Sequence, residues 1–397
     1  MTGNHAILIR NQQEARRIME EIGVDSAAYP YLLPKAMFYC IKLKDISFKA
    51  ANIIKQEMLA KGGEAAVARQ TLCCEGSGDV LLMGTRKHYR LLLAKLKVQP
   101  FGLKKVAGEI EEILTALEHN EHIIDLPYGK SLKLGERTLI MGILNITPDS
   151  FSDGGKYLET DRAVERAQEM LAQGADIIDI GAASSRPDSV MAGEEEEIRR
   201  LLPVVDKLAG ENVIISIDTF RGRVARACLE RGAHIINDIG RLQLDTELLP
   251  VLVEKQAPVI LMHNRLQMRR GEPYQDLVAD ILSELEESIG QAAEAGLAED
   301  KIIVDPGIGF GKTPAENRVL LKRLREFRSL GKPVLLGASR KSFIGATLNL
   351  EVDQRLEGSL AAVALGVMNG ADIVRVHDVQ ASKRVAAMID AVMQENG

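Results

Sequence analysis

Leu139-Ile-Met-Gly-Ile-Leu-Asn145, running on into Ile146-Thr-Pro-Asp149, is the stretch that decides the fold. Its first residues are apolar up to a terminal asparagine. A strand with one wet face alternates polar and apolar residues, so an unbroken run reads as a parallel strand covered on both sides. An open, doubly wound sheet would follow its first strand with a G-x-G-x-x-G turn; Asn145-Ile-Thr-Pro-Asp149 stands there instead, and that turn occurs nowhere in the chain. Further short apolar runs follow at 176–181, 213–218, 234–238, 258–263, 301–305, 333–337 and 373–377. Helical text accompanies them at 161–173, 194–208, 221–231, 246–255, 275–295, 316–329, 355–369 and 380–394. Eight strands interleaved with eight helices over about 260 residues predict a closed (β/α)8 TIM barrel in an α/β protein.

Ahead of the barrel, residues 1–125 read as a small α/β domain of a different kind. Strands are expected at His5–Arg10, Phe38–Leu43 and Asp79–Met83, with helices at 11–22, 87–96 and 103–119. Ser47 is placed to cap a further helix reaching Lys61, because its hydroxyl can accept from a free first-turn N–H. Pro127, Gly129 and Gly135 punctuate the text beyond, so the boundary is set near residue 125, with the barrel at 126–397. Arg86-Lys87-His88 and Arg90 are the densest basic text here, and an ordinary solvated face explains them better than an anion site.

The 397 residues are 46% hydrophobic and 27% charged, which excludes wholesale disorder. A net charge of −6 with no dense basic block argues against nucleic acid as a partner. No apolar run approaches the roughly 18 residues of a membrane span. Cys40, Cys73, Cys74 and Cys228 show neither CxxC nor zinc-knuckle spacing, and no signal peptide is evident, so free thiols in the reducing cytoplasm are expected.

Function is written at the strand ends. The barrel strands end in, or run into, Asn145, Asp218, Asn237 with Asp238, His263, Asp305, and Arg375 with His377. Loops after the second and seventh strands carry Ser184-Ser-Arg186 and Ser339-Arg-Lys-Ser342. Each alone reads as a cap; as a set they are expected to converge on the C-terminal mouth, where barrel active sites are built. Asp218, Asn237 and Asp305 offer acceptors to a flat heterocycle bearing amino and ring N–H donors. Asn145, Arg375 and His377 suit a phosphate or pyrophosphate, and Asn145 with nearby carboxylates suits Mg²⁺, which takes oxygen ligands and keeps waters. Asp305-Pro-Gly-Ile-Gly-Phe-Gly-Lys312 is not a Walker A loop, since Pro306 stands where the first glycine belongs. Its glycines allow close backbone approach to a planar ligand, with Phe310 and Lys312 beside it.

These motifs resemble dihydropteroate synthases of the pterin-binding barrel superfamily. The resemblance covers about residues 132–394 and rests on Ile143–Gly155, Ser184–Pro187, Ile217-Asp-Thr219, Ile236–Ile239, Asp305–Lys312, Ser339–Ser342 and Arg375-Val-His377. It implies condensation of 6-hydroxymethyl-7,8-dihydropterin pyrophosphate with p-aminobenzoate, by departure of pyrophosphate and attack of the arylamine on a cationic pterin methylene. It further implies that Asp218, Asn237, Asp305, Phe310 and Lys341 bind the pterin. Asn145, Arg375 and His377 would hold pyrophosphate, with Mg²⁺ on Asn145. Phe151, Ser185, Arg186, Pro187 and Ser342 would form the p-aminobenzoate pocket, and Asp153 would oppose the developing cation. Family members are commonly homodimers. The second loop, Gly181-Ala-Ala-Ser-Ser-Arg-Pro-Asp188, departs from the usual Gly-Gly-Glu-Ser-Thr-Arg-Pro-Gly at Ala183 and Asp188. A methyltetrahydrofolate–corrinoid methyltransferase would share the pterin anchors but would not need the 148–155 loop, Ser-Arg-Lys-Ser or Arg-x-His. A non-catalytic pterin-binding protein is the other alternative, and only Ala183 points to it.

Overall fold

The structure is a computed structural model that describes residues 3–73, 75–119, 121–146, 156–182, 193–265 and 272–395. The chain divides into two compact units, Met1–Glu118 and His119–Gly397.

In the first unit β1 (Phe38–Ser47), β2 (Glu64–Val67) and β3 (Ser77–Thr85) form an antiparallel sheet in the order β1-β3-β2. Alternation along β1 and β3 sends Ile41, Leu43, Val80 and Leu82 to one face, where they pack with Ile54, Leu92 and Ile110 of three covering helices. The expected cap is present: Ser47 Oγ accepts from Ala50 N at 3.4 Å. The expected strand at His5–Arg10 is not formed. Ile7 and Leu8 are exposed, and the Arg10 N–H donates to Glu14 Oε2 at 2.6 Å, at the entry to helix Gln12–Ile22. Alternating apolar text makes a strand only where a sheet edge receives it. Two members of the basic cluster are tied down locally, while Arg90 is exposed: Arg86 pairs with Glu118 at 3.0 Å and His88 Nδ1 accepts from the Thr85 N–H at 3.2 Å.

The second unit begins with an antiparallel hairpin, β4 (His122–Asp125) and β5 (Ser131–Leu134). The barrel follows as β6 (Leu139–Asn145), β7 (Ile177–Gly181), β8 (Ile214–Asp218), β9 (Ile235–Asp238), β10 (Val259–Met262), β11 (Ile302–Asp305), β12 (Leu335–Leu336) and β13 (Ile373–Val376). Neighbours pair in parallel from β6 to β11, β13 returns to pair with β6, and β12 with β13. A single parallel bridge, Val304 to Val334, joins β11 to the approach of β12 and completes the ring. The helix expected at 316–329 is divided into an α-helix, Pro314–Lys322, and a 3-10 segment, Leu324–Leu330. A further short helix, Ser342–Leu348, follows the seventh barrel strand.

Because side chains alternate along a strand, parity sorts the barrel into two cores. Ile140, Ile178, Ile215, Ile236, Leu261, Val304 and Val374 face outward into the helix layer. Leu139, Met141, Ile177, Ile235, Ile260, Ile303, Leu335 and Ile373 face inward, and the hairpin residues Ile124, Leu126, Leu132 and Leu134 close over them as a plug in the N-terminal mouth. Lys130 helps seat the plug by donating to Val213 O at 2.6 Å. The division at Glu118/His119 leaves β4 on the barrel side.

Candidate active site

Followed toward the C-terminal rim, the inward parity becomes polar. From Met141 it reaches Asn145; from Ile177, Asp179; from Ile214, Ser216 and Asp218; from Ile235, Asn237; from Ile303, Asp305; from Ile373, Arg375 and His377. The parallel ladders set these residues side by side, with Asp179 in register with Ser216 and Asp218 with Asn237.

Arg375 is the centre of the cluster. Its Nε donates to Asp179 Oδ2 at 2.6 Å and its Nη2 to Asp218 Oδ2 at 2.8 Å. Asp179 is fully buried and also accepts from Ser216 Oγ at 2.6 Å and Asn237 Nδ2 at 3.1 Å. Burial lifts the Asp218 carboxyl to about 6, although the Arg375 charge works against it. Burial also raises Asp305, against the Gly307 N–H that donates to its Oδ1 at 2.7 Å and against the charges of Lys341 and Lys312. Lys341 is pushed down to about 8 by burial and then by Arg375. Its ammonium lies 4.1 Å from the Phe310 ring centroid, within cation–π range, so Phe310 and Lys341 make a flat, cationic flank. His377 is held down at about 4 by burial, Arg375 and Arg340, so its imidazole is neutral near pH 7; Nδ1 stands 3.1 Å from Ser339 Oγ.

The loop 305–312 owes its shape to glycine. Gly307, Gly309 and Gly311 have φ of 67°, 84° and 64°, and a Cβ on Gly307 would fall 1.8 Å from His263 O. Lys312 pins the loop by donating to Gly307 O at 2.9 Å, Phe310 O at 3.0 Å and His263 O at 3.3 Å.

Three strand-end or loop residues expected at the mouth are turned elsewhere. Asp238 follows the inward Asn237, so parity sends it outward, where its carboxylate accepts from Gly240 N at 2.7 Å and Leu242 N at 2.5 Å. His263 is outward and buried, its Nε2 3.1 Å from Glu284 Oε2 in a network with Arg241 and Arg265. Arg340, at φ 55°, pairs with Asp378 through two bonds of 2.9 and 2.6 Å, tying the loop after β12 to that after β13. Asn145 is exposed at the end of β6 and Ser342 is exposed at the start of its helix. Phe151, Asp153, Ser185, Arg186 and Pro187 lie outside the described residues. Sequence reasoning passed over Asp179 and Ser216, and quoted Ser339 within its motif without giving it a role. A carboxylate inside Ile177-Ile-Asp-Ile-Gly181 was the available signal, since a doubly covered strand has no use for a charge unless it faces a site.

Asn145 offers one amide oxygen to solvent, and no group of three or more His, Cys, Asp or Glu able to hold a metal occurs among the described residues. An amide oxygen is the kind of hard donor that Mg²⁺ takes beside phosphates.

Residues 141–377 match the family described as pterin binding enzyme. The chain is 48% identical over 268 residues to dihydropteroate synthase of Bacillus subtilis, covering 67% of this chain and 93% of that one. The solved structure of Xanthomonas albilineans dihydropteroate synthase with 4-aminobenzoic acid is 38% identical, with a TM-score of 0.66 over 70% of this chain and all of that one. The chain therefore belongs to the dihydropteroate synthases, transferases of folate biosynthesis. A probable bifunctional folylpolyglutamate synthase/dihydropteroate synthase of Haloferax volcanii is 37% identical over 388 residues. That match covers 93% of this chain but 45% of the relative, so it extends into the N-terminal unit.

Proposed function

We propose a division of labour at the barrel mouth for the reaction of this family, the condensation of 6-hydroxymethyl-7,8-dihydropterin pyrophosphate with p-aminobenzoate to 7,8-dihydropteroate and pyrophosphate. Asp218, Asn237 and Asp305 accept from the amino and N–H groups of the pterin, and Phe310 with Lys341 flanks its face. The observation that carries this reading is the buried cluster on the inward parity: Asp179 and Asp218 bond the Arg375 guanidinium, Asn237 bonds Asp179, and Asp305 lies buried at the end of a neighbouring strand of the same mouth.

Arg375 and His377 receive the pyrophosphate. As the bond between the pterin methylene and the leaving oxygen lengthens, negative charge grows on that oxygen, and a preorganised guanidinium stabilises it at no cost of reorganisation. His377, neutral near pH 7, contributes an N–H donor there and adds no like charge beside Arg375. Asn145 would hold Mg²⁺, whose contribution is to neutralise pyrophosphate oxygens. The arylamine nitrogen then bonds to the methylene and loses a proton. No strong general base is needed, because an aromatic amine is a sufficient nucleophile for a cationic carbon. The p-aminobenzoate pocket is assigned to Phe151, Ser185, Arg186, Pro187 and Ser342, and opposition to the cation to Asp153, on the family pattern alone.

Two further assignments belong to this reading. A homodimer through barrel helices is supported by exposed Leu365 and Met368 on helix Leu356–Met368 and by Met388 and Val392 on helix Val379–Gln394. Light scattering that returns the mass of one chain at micromolar concentration would remove that proposal. A cytoplasmic location is supported by the free thiols of Cys40, Cys73 and Cys228; no helix among the described residues is long and apolar enough to cross a membrane.

The deciding experiment follows pyrophosphate and dihydropteroate together, with and without Mg²⁺ and p-aminobenzoate. Stoichiometric release of both, dependent on the arylamine, is expected. Pterin binding with neither product would overturn the catalytic reading.

A further inference from the structure

Asp179 joins Asn237 of the ring site to Arg375 of the proposed pyrophosphate site, two residues on separate strands. It sits on β7 with no exposed surface. Its Oδ1 accepts from Ser216 Oγ at 2.6 Å on β8, and its Oδ2 accepts from Arg375 Nε at 2.6 Å on β13 and from Asn237 Nδ2 at 3.1 Å on β9. A carboxylate paired with a guanidinium has only lone pairs to offer, so Asn237 can approach it only through its NH₂ group. Turning the Asn237 amide over would set its carbonyl against the carboxylate and strand two acceptors face to face in a buried site, at a cost of a lost charge-assisted hydrogen bond plus repulsion. With the amide held this way, the oxygen of Asn237 is the end left for a ligand, while Arg375, with Nη2 on Asp218, has Nη1 to offer one.

We propose that Asp179 is a positioning residue that sets the ring specificity of this site. By fixing the Asn237 amide with its oxygen toward the ligand, it makes the recognition edge, with Asp218 and Asp305, one of acceptors only. Such an edge selects heterocycles that present amino and ring N–H donors and rejects those presenting carbonyls in the same places, because each mismatched carbonyl leaves a buried acceptor unpaired. The proposal rests on the reading of this cluster as the pterin site.

The test compares binding of pterin and of lumazine, the same bicycle with a carbonyl in place of the 2-amino group, to the full chain and to Asp179→Asn. The wild type is expected to prefer pterin. In the variant, the amide introduced on β7 carries an NH₂ group that can donate to a reversed Asn237. The preference is then expected to fall at least tenfold, with KM for the pterin substrate rising while KM for p-aminobenzoate holds. An unchanged preference in a folded variant, or equal loss of both rings, would overturn the proposal. A measurement on the wild type covers the case in which the variant does not fold. The side-chain amide of Asn237, labelled with ¹⁵N, should keep one proton protected from exchange, and keep it when pterin binds. Exchange as fast as that of an exposed asparagine would overturn the proposal equally. A wild type that binds neither ring fails the pterin reading and this inference with it, an outcome distinct from a selective wild type whose variant stays selective.

Discussion

At the N-terminal mouth of the barrel the inward positions are Leu139, Ile177, Ile235, Ile260, Ile303, Leu335 and Ile373, sealed under an apolar hairpin; at the C-terminal mouth the same parity carries Asn145, Asp179, Asp218, Asn237, Asp305 and Arg375. Two aspartates near β7 condense the contrast. Asp176, just ahead of the strand, accepts two bonds from Arg137, at 2.9 and 2.7 Å, and one from the Ile140 N–H at 2.8 Å. It organises backbone at a partly exposed rim. Asp179, three residues on, is fully buried and addresses Arg375 and Asn237. One end of the barrel strand thus holds the fold together and the other faces the site, within three residues of sequence.

Substitutions at the top should break function without breaking the fold. Arg375→Ala is expected to lower kcat/KM about 100- to 1000-fold, the magnitude of removing one preorganised donor at a developing anion. Affinity for free pterin should fall far less than affinity for the pyrophosphate-bearing substrate; equal losses in calorimetry would sink the pyrophosphate assignment. Asp305→Ala should mainly remove pterin binding, and unchanged pterin affinity would end its proposed role.

At the bottom the signature should invert. Leu132→Ala empties part of the plug and is expected to cost about 2–5 kcal/mol of stability, as buried leucine truncations do, with KM for both substrates unchanged in the folded fraction. A denaturation midpoint equal to that of the wild type would show that the hairpin is not seated as described.

A smaller effect distinguishes the mouths by pH. Asp218, lifted to about 6 by burial, is a carboxylate only above that value, and Lys341, lowered to about 8 by burial, is an ammonium only below its own. Activity that needs both charges should rise through about 6 and fall through about 8, the bell of an acid–base pair. A rate flat from pH 5 to 9 would show that neither group changes charge in an essential step across that range. Smallest is Arg137→Ala. Its pair with Asp176 is nearly half exposed on the arginine side, so the loss should stay at or below about 1 kcal/mol. Against burial, Arg137 and the Ile140 N–H hold Asp176 below its ordinary pKa, so this contribution is fully present above the ordinary aspartate value and lost as pH falls below it through the depressed one. A urea titration at pH 7 against one at pH 3 would read it.

The barrel was legible because doubly covered strands leave short apolar runs whose ends are marked by polar residues, and helix 194–208 falls where the sequence put it. His5–Arg10 was misread because a strand needs a partner edge, which lies elsewhere in the chain and has no local signature. In the site, Asp218, Asn237, Asp305 and Arg375 were legible as strand ends. Asp238 and His263 looked equivalent to them until parity, anchored by which residues face the plug, turned them outward. The same parity would have recovered Asp179 from Ile177, two residues before it. Sequence alone cannot anchor parity without knowing one inward residue.

The ring of strands is joined unevenly. β12 is two residues long, and a single bridge between Val304 and Val334 links it to β11. On the other side of the same stave, at the start of β13, Asp372 Oδ2 accepts from the Val334 N–H at 2.8 Å, a side chain standing where a ladder bond would otherwise run. Cooperative opening of a closed sheet begins where it has fewest backbone bonds to break. Amide protons flanking this join should therefore exchange with solvent well before those of β6 to β9. Since the loop carrying Ser339, Arg340 and Lys341 leaves from β12, opening of the stave is expected to move its lysine as well.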